Sequence, residues 1–433
     1  MRKNPKILIG LLDVAGTASD LSEGFKSLGL DSIFVSRENE PFEYKDGNWL
    51  SKALHRLASY SSKASGRSKL LRELCRLISH LFRGGIFLWA LLSRDVFIFY
   101  FNATFSDKNR DLPILKFFKK TIIFIYVGSD SRPPFLNGSV DVNLENAQDV
   151  EMKLIKGSFH KKQRIKYVEK YADYIINWLP HSYYHERPVV LGNIIGLPKQ
   201  IKSELKLEPQ VACSEQVMIL HAPSKPEVKG SRLIREIISR LKAKGYKINY
   251  IEIVGQPNEV VISHLNQCDF VVDQMYSDTP MAGFATEAAF CGKPAVVGGY
   301  FADFICDYVP EYAIPPSAYT TPDKVEQTIE RLITDRDYRL ALGSRARHYA
   351  EHYLRPEMVA ERILRLINDE VPADWYRDPA NFMYCHGCGL SEYDIKRRVR
   401  LVIERAGVSA LQLSDKPEIE KNFVCFVNKK ESH

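Results

Sequence analysis

The feature that most constrains this chain is a regular alternation of short apolar runs and amphipathic helices over residues 217–300. Four runs are short and apolar, as in strands that are covered on both faces: 217–220, 250–254, 270–272 and 295–297. After the first run, apolar residues at 233, 234, 237, 238 and 241 fall on one face of a helix that begins at Ser231. This alternation predicts a doubly wound parallel sheet, which binds ligands beyond the carboxyl ends of its strands.

The loop after the first of these strands concentrates positive charge at the start of a helix. It contains Lys225, Lys229 and Gly230, and Arg232 follows in the helix. A helix start offers unpaired backbone N–H groups and the positive end of the helix dipole, so phosphate groups bind there. The sequence therefore predicts a diphosphate site that needs no metal ion.

A second candidate region begins at Gly283. This glycine opens a helix that presents Glu287 near its first turn, and Gly292 with Pro294 ends the helix. A carboxylate in this position is suited to bind the two vicinal hydroxyls of a ribose. Backbone around Gly255, after the strand at 250–254, is the expected place for the base of a nucleotide.

These residues resemble the nucleotide-binding half of retaining GT-B glycosyltransferases, the group 1 or family-four-like enzymes of bacterial cell-envelope polysaccharide synthesis. The resemblance lies in Lys229-Gly230, in the helix from Glu287 to Pro294, and in residues 332–347, which end in L-G-x-x-A-R. It covers residues 217–365 well and the first 200 residues more loosely. It implies an α/β protein with the GT-B fold, in which two Rossmann-like doubly wound parallel-sheet domains face a cleft.

The resemblance also implies an activity: transfer of a sugar from a nucleoside-diphosphate donor to a glycan or lipid-linked saccharide, with retention and without metal. The nucleotide sugar is then a substrate, and no cofactor is expected. Catalytic roles fall on Asp130, Lys229 and Glu287. The residues assigned to donor binding are Ser224, Lys225, Gly230, Gly255, Gly283 and Thr286.

Two departures from the family pattern keep other functions open. The family usually has a glutamate eight positions before the ribose carboxylate, where this chain has Thr279 beside Asp278, and an arginine where it has Ser224. One alternative is a catalytically silent partner protein that binds sugar nucleotides. Another is a GT-B nucleotide-sugar epimerase, which needs an acid and a base carboxylate facing the sugar.

The amino-terminal half predicts a second parallel sheet, with strands at 6–9, 32–35, 96–101, 122–127 and 174–176. Residues 10–16 lack the G-x-G-x-x-G spacing, so a nicotinamide or flavin cofactor is not expected. Gly16 and Arg132 are assigned to the acceptor side of the cleft. Asp130 is placed either on the transferred sugar, as the resemblance implies, or as a cap of its own turn, with Arg132 pairing with it.

A chain of 433 residues is long enough for at least two domains with substantial cores. The expected limits are 1–200 for the first domain, 201–216 for a polar hinge and 217–365 for the nucleotide-sugar domain. Residues 366–433 are expected to form a crossover helix and a tail that pack on the first domain. Within this tail, Cys385 and Cys388 form a single pair, whereas a structural zinc site needs four ligands, so no metal is expected.

Charge and hydropathy bear on the partners. The formal charge of +7 favours anionic partners, but no nucleic-acid-binding motif appears and no nucleic acid is expected. Residues 67–83 predict a basic amphipathic helix, which either lies in an anionic membrane surface or packs on its own domain. With eight scattered cysteines and no secretory signal, the chain is expected in the cytoplasm. Peripheral contact with the inner face of the membrane is expected only in the first of the two alternatives for residues 67–83.

Overall fold

The structure is a computed structural model that describes residues 4–36, 50, 69–200 and 216–429. The hinge expected at 201–216 lies outside the described residues, apart from Gln216. The strands and helices divide between two parallel sheets, one in each half of the chain.

The first sheet contains seven strands in the order β12-β6-β5-β4-β3-β1-β2. Their bounds are β1 Ile7–Leu11, β2 Ser32–Ser36, β3 Val96–Tyr100, β4 Thr121–Ile125, β5 Tyr174–Asn177, β6 Val189–Leu191 and β12 Tyr376–Arg377. Its pairs are parallel except for β12, which runs antiparallel to β6. Every residue of β1 and β3 is buried, because helices cover both faces of the sheet.

The second sheet contains five parallel strands in the order β11-β10-β9-β7-β8. Their bounds are β7 Val217–His221, β8 Ile248–Glu252, β9 Phe270–Gln274, β10 Ala295–Gly298 and β11 Ala318–Thr320. Its inward-facing residues belong to two apolar clusters, one on each side of the sheet. Burial on both faces explains why these strands appear in the sequence as uninterrupted apolar runs.

The α-helices connect and cover these strands. In the first half they are α1 Thr17–Ser27, α2 Lys69–Ser93, α3 Leu112–Phe117, α4 Ala147–Asp149, α5 Lys156–Glu169 and α6 Gly192–Ile195. In the second half they are α7 Pro226–Lys229, α8 Ser231–Ala243, α9 Asn258–Gln267, α10 Gly283–Phe290, α11 Ile305–Tyr308, α12 Val325–Thr334, α13 Arg336–Tyr349, α14 Pro356–Ile367, α15 Glu392–Ala406 and α16 Pro417–Asn428. Where the structure describes the chain, no helix is long and apolar enough to cross a membrane.

The strand orders place the ligand-binding edge of each sheet. In both sheets the strand order changes direction at the first strand. The switch points lie between β1 and β3 in the first sheet and between β7 and β9 in the second. Ligands of doubly wound sheets bind at this switch point, beyond the carboxyl ends of the strands. Loops from the two switch points line one shared cavity. The predicted GT-B architecture, two Rossmann-like parallel-sheet domains that face a cleft, is confirmed.

The end of the chain returns to the first sheet. Helix α14 packs on α1 so closely that a Cβ added at Gly24 would lie 2.1 Å from the carbonyl oxygen of Pro356. Phe301, Ile305, Phe382 and Tyr384 join the large apolar cluster of the first domain. The numerical domain limits proposed from the sequence stay predictions, but these contacts tie both the tail and part of the second half to the first sheet.

Candidate functional site

The cleft between the domains contains a cavity of about 650 Å³. From the second domain it is lined by residues that the sequence singled out: Ser224, Lys225, Lys229, Gly255, Gly283 and Glu287. From the first domain it is lined by the loop after β1, including Asp13 and Ala15, and by Phe101 after β3. The structure therefore brings six of the eight second-domain residues assigned to catalysis or donor binding into one cavity.

The positively charged end of this cavity is built around Lys229, the last residue of α7. Gly230 follows with φ of 73°, and a Cβ there would lie 2.7 Å from Cγ of Met275, so the turn into α8 requires glycine. The Lys229 ammonium contacts Oδ1 of the buried Asp273 at 3.3 Å, while Oδ2 of that carboxylate has no hydrogen-bond partner among the described residues. Lys225 and Ser224 are exposed.

The buried His221 fixes the position of helix α8 behind this charge. Nδ1 of His221 lies 2.7 Å from the carbonyl oxygen of Val272, so this nitrogen must be protonated and donate. Nε2 of His221 is then an acceptor, and it receives the hydroxyl hydrogen of Ser231 over 2.8 Å. Burial lowers the pKa of His221, which keeps the ring neutral. The first turn of α8 is thereby anchored to the ends of β7 and β9.

The same cavity is lined by Glu287, the fifth of the eight residues of α10. Its side chain is 2 % exposed, and its Oε1 atom receives a hydrogen bond from Asn258 at 2.9 Å. Lys199 forms an ion pair with the same oxygen at 2.9 Å and also donates to the carbonyl oxygen of Ala15 at 3.0 Å. The carboxylate is thus fixed in place from both domains.

A second cavity of about 200 Å³ continues from the first, sharing Val14, Ala15 and Gly283. Thr286 and Thr279 line it from the second domain, and its lining also includes His181. Because the Arg132 guanidinium can only donate to Nε2 of His181, at 2.8 Å, the ring proton lies on Nδ1. Burial and the neighbouring Arg132 lower the pKa of His181, and its Nδ1 has no partner in the described part of the chain.

Arg132 belongs to a buried ionic cluster that joins the domains. Its guanidinium contacts Oδ2 of Asp278 at 2.9 Å, and their side chains are 7 % and 1 % exposed. His181 lies 3.2 Å from the same oxygen. The Arg132 guanidinium holds the pKa of Asp278 well below its usual range despite burial. One of the two alternatives drawn from the sequence paired Arg132 with Asp130, whereas the structure pairs Arg132 with Asp278 across the domain interface.

The Asp130 carboxylate accepts hydrogen bonds within its own loop, from the backbone N–H groups of Val127 at 3.1 Å and Gly128 at 2.9 Å. Burial raises the pKa of Asp130 to about 6, and burial lowers the pKa of the nearby Lys161 to about 8. Neither Asp130 nor Arg132 lines the two described cavities. The catalytic role of Asp130 and the acceptor-side role of Arg132 stay predictions.

Gly16 lies between the two cavity-lining residues Ala15 and Thr17. It has φ of 80° and stands at the start of α1. Four residues that contact the site were not assigned roles from the sequence: Lys199, Asn258, His181 and Asp278. Lys199 lies at the edge of the expected hinge, and no local pattern distinguishes it there.

The described residues contain no group of three or more His, Cys, Asp or Glu side chains arranged to hold a metal ion. In the tail, burial raises the pKa values of Cys385 and Cys388 to about 12. The carbonyl oxygen of Cys388 accepts from Gly138 of the first domain, and Gly389 donates to Tyr276 of the second. This segment therefore bridges the two domains.

No family model matches the sequence, and the curated proteins yield no significant match. Among solved structures, the chain is similar to HepE of Anabaena in complex with UDP and glucose, at 13 % identity and a TM-score of 0.47, over 84 % of this chain and 100 % of that one. The catalytic domain of starch synthase IV from Arabidopsis thaliana, bound to ADP and acarbose, gives 10 % identity and a TM-score of 0.48, over 85 % and 99 %. The glycotransferase of kitacinnamycin gives 10 % identity and a TM-score of 0.43, over 86 % and 100 %.

The names of these structures include a glycotransferase and a starch synthase. At such identities and TM-scores the likeness carries no argument about the activity of this chain. The fold rests on the two sheets and their orders.

Proposed function

We propose that this protein is a glycosyltransferase that moves a sugar from a nucleoside-diphosphate donor to a glycan or a lipid-linked saccharide. One observation carries the proposal: Lys229 and Glu287, selected from separate sequence patterns, line one cavity where the switch points of two parallel sheets face each other. A cation at a helix start and a fixed carboxylate are complementary to the diphosphate and the ribose of such a donor.

The donor lies across the cavity in this proposal. Its diphosphate contacts Lys229, Lys225 and the backbone N–H groups of the first turn of α8. Its ribose hydroxyls donate to Oε2 of Glu287, because Lys199 and Asn258 both contact the other oxygen, Oε1. The ion pair between Lys199 and Glu287 aligns the Glu287 carboxylate before the donor binds. This lowers the entropic cost of ordering that side chain on binding.

The sugar extends from the diphosphate into the smaller cavity, where the Nδ1–H group of His181 donates to a sugar hydroxyl. During transfer, the bond between the anomeric carbon and the phosphate oxygen breaks, and a bond from the acceptor oxygen to that carbon forms on the same face. The acceptor proton passes to the departing phosphate oxygen. Lys229 stabilises the negative charge that develops on the leaving diphosphate, so neither a protein nucleophile nor a metal is required.

The acceptor and the location are finer parts of the same proposal. A lipid-linked acceptor implies peripheral contact with the inner face of a membrane, and a nucleotide-sugar donor implies a cytoplasmic site. Gly16 and Arg132 belong to the acceptor side by their place in the first domain.

A second function, a silent protein that binds sugar nucleotides, is favoured by one observation. At the position where the family has a glutamate the chain has Thr279, and the adjacent Asp278 is fully engaged by Arg132. Neither residue then offers a free carboxylate to the donor sugar.

The experiment that separates the two functions is a turnover assay. Purified protein is incubated with a panel of nucleotide sugars and candidate acceptors, in EDTA and again in magnesium, and the nucleoside diphosphate released is quantified. The proposal predicts release in EDTA that depends on the acceptor, with the anomeric configuration of the donor retained in the product. Lys229→Ala should lower turnover by at least about tenfold, equivalent to about 1.4 kcal/mol, whereas the exposed Lys242→Ala on α8 should not change it. Donor binding without release under any condition would instead support the silent protein.

A further inference from the structure

Helix α2 is apolar on two opposite faces, and the first core covers only one of them. Ile86, Ala90 and Leu91 are buried against the sheet. On the other side six large apolar residues are 38–73 % exposed: Leu77, Ile78, Leu81, Leu88, Trp89 and Leu92. With 3.6 residues per turn these six fall within an arc of about 120°, and they extend over about 22 Å of the helix axis. Packing against the described residues of its own domain therefore does not account for this stripe.

Helix α3 extends the same surface. Its residue Ile114 is 43 % exposed, Phe117 is 82 % exposed, and Phe118, directly after the helix, is 48 % exposed. A groove of about 490 Å³ separates the two helices, lined by His80 and Arg83 of α2 and by Ile114 of α3. We call these nine exposed residues and the groove between them the α2/α3 face.

The surroundings of this face are strongly basic. Residues 69–120, which include both helices, contain 10 Lys and Arg against 4 Asp and Glu, a formal charge of +6 in a chain whose whole charge is +7. The groove itself is lined by the exposed Lys108 and Arg110, and also by Asp111 and by Asp107, which pairs with Arg83. An anionic lipid surface has acyl chains that accept apolar side chains and phosphates that attract cations. Apolar side chains surrounded by cations are complementary to such a surface. A second copy of this chain would bring like charges together, which opposes self-association through the same face.

We propose that the α2/α3 face docks on an anionic lipid bilayer. The apolar stripe inserts at the boundary between headgroups and acyl chains, and the cations of the groove contact lipid phosphates. Docking has a consequence for the cleft, because one loop lines both places. Phe101, just after β3, lines the donor cavity, while residues 105–108, 110 and 111 line the groove. The lipid surface then lies beside the first-domain wall of the cleft, where a lipid-linked acceptor enters. This last step rests on the proposed transfer, whereas the docking does not.

The test is vesicle flotation of the full chain without donor or acceptor, so that its outcome is independent of transfer. Vesicles of phosphatidylcholine alone are compared with vesicles that contain about 30 mol % phosphatidylglycerol. We expect at least tenfold stronger partitioning to the anionic vesicles, weakened by high salt. The triple variant Leu81→Asn, Leu92→Asn, Phe117→Asn should lower it at least tenfold.

Exposed positions allow matched controls. Leu340 on α13 is 57 % exposed in the second domain, and Leu340→Asn should bind vesicles as the wild type does. Tryptophan fluorescence gives a second readout: lipids brominated near the headgroup should quench the emission of the bound protein, and Trp89→Phe should remove most of that quenching. Circular dichroism should confirm that each variant is folded.

Three results would overturn the proposal. The first is that the wild type floats with neither kind of vesicle, and the second is that the folded triple variant binds as strongly as the wild type. The third is that the wild type is a dimer in solution and the triple variant is a monomer. The last result would assign the face to a second copy of the chain.

Discussion

Substitution of Asp130 by Asn tests two roles of this residue separately, its effect on stability and its effect on turnover. Its carboxylate accepts from two backbone N–H groups of its own loop and is 9 % exposed. In Asp130→Asn the amide oxygen can keep both of these hydrogen bonds, while the ionisable group is removed. The substitution therefore isolates the cost of burying a charge at this position.

The magnitude follows from the pKa of Asp130, which burial raises from 3.8 to about 6. As the pH rises, the unfolded chain loses this proton before the folded chain does, so ionisation of Asp130 lowers the free energy of unfolding. The full effect is about 3 kcal/mol, of which about 2 kcal/mol develops between pH 4.5 and pH 7.5. Relative to the wild type, Asp130→Asn should gain about 2 kcal/mol of stability over that interval.

Urea denaturation at pH 4.5, 5.5, 6.5 and 7.5 measures this difference. The exposed Asp323→Asn serves as the control and should change the free energy of unfolding by less than about 0.5 kcal/mol at each pH. A stability difference between Asp130→Asn and the wild type that does not vary with pH would refute the reasoning. Turnover of the same variant tests the predicted catalytic role of Asp130. A loss of about 100-fold, or about 2.7 kcal/mol, would support catalysis by Asp130, whereas near-normal turnover would assign Asp130 a structural role only.

Three further predictions concern groups whose contacts the structure defines. Asp278→Asn should lower the free energy of unfolding by about 3–5 kcal/mol in urea denaturation, because it leaves the Arg132 guanidinium buried without its partner. Lys199→Met and Glu287→Gln should each weaken nucleotide binding in calorimetry, and the double variant should show a coupling of about 1 kcal/mol or more, since the two side chains form one ion pair. Gly230→Ala should lower the melting temperature through at least about 1–2 kcal/mol of left-handed backbone strain, to which its contact with Met275 adds.

Local patterns in the sequence predicted most of the sheet elements. Buried parallel strands leave short apolar runs, so β7 and β9 were found within one or two residues of their ends. The short strands β6, β11 and β12 were not found. The two residues of β12 are a strand only because the tail returns to β6, a contact that no local pattern records.

Some residues of the candidate site were likewise predictable from local sequence patterns, whereas others reach the site only through the tertiary fold. Lys229 and Glu287 were found because glycine, proline and charge mark the loop and the helix that hold them. Lys199 was missed because its partners Ala15 and Glu287 are 184 and 88 positions away, and only the tertiary fold brings them together. Of the exposed stripe of α2, Leu77, Ile78 and Leu81 fall within the amphipathic helix predicted at 67–83, whereas the later residues lie beyond it. Whether such a face meets the core or the outside depends on the position of the helix on the sheet.

The measurement that tests the central claim most directly is thermal stabilisation of the purified protein by UDP, GDP, dTDP and CMP, in EDTA and in magnesium. A nucleoside diphosphate at 100 times its dissociation constant should stabilise the protein by about 2.7 kcal/mol. The account predicts a shift in EDTA that is selective for one nucleoside diphosphate, is lost in Lys229→Ala and Glu287→Gln, and is kept in Lys242→Ala. Absence of a shift with every nucleotide, or an equal shift in wild type and Lys229→Ala, would contradict a donor site in this cleft.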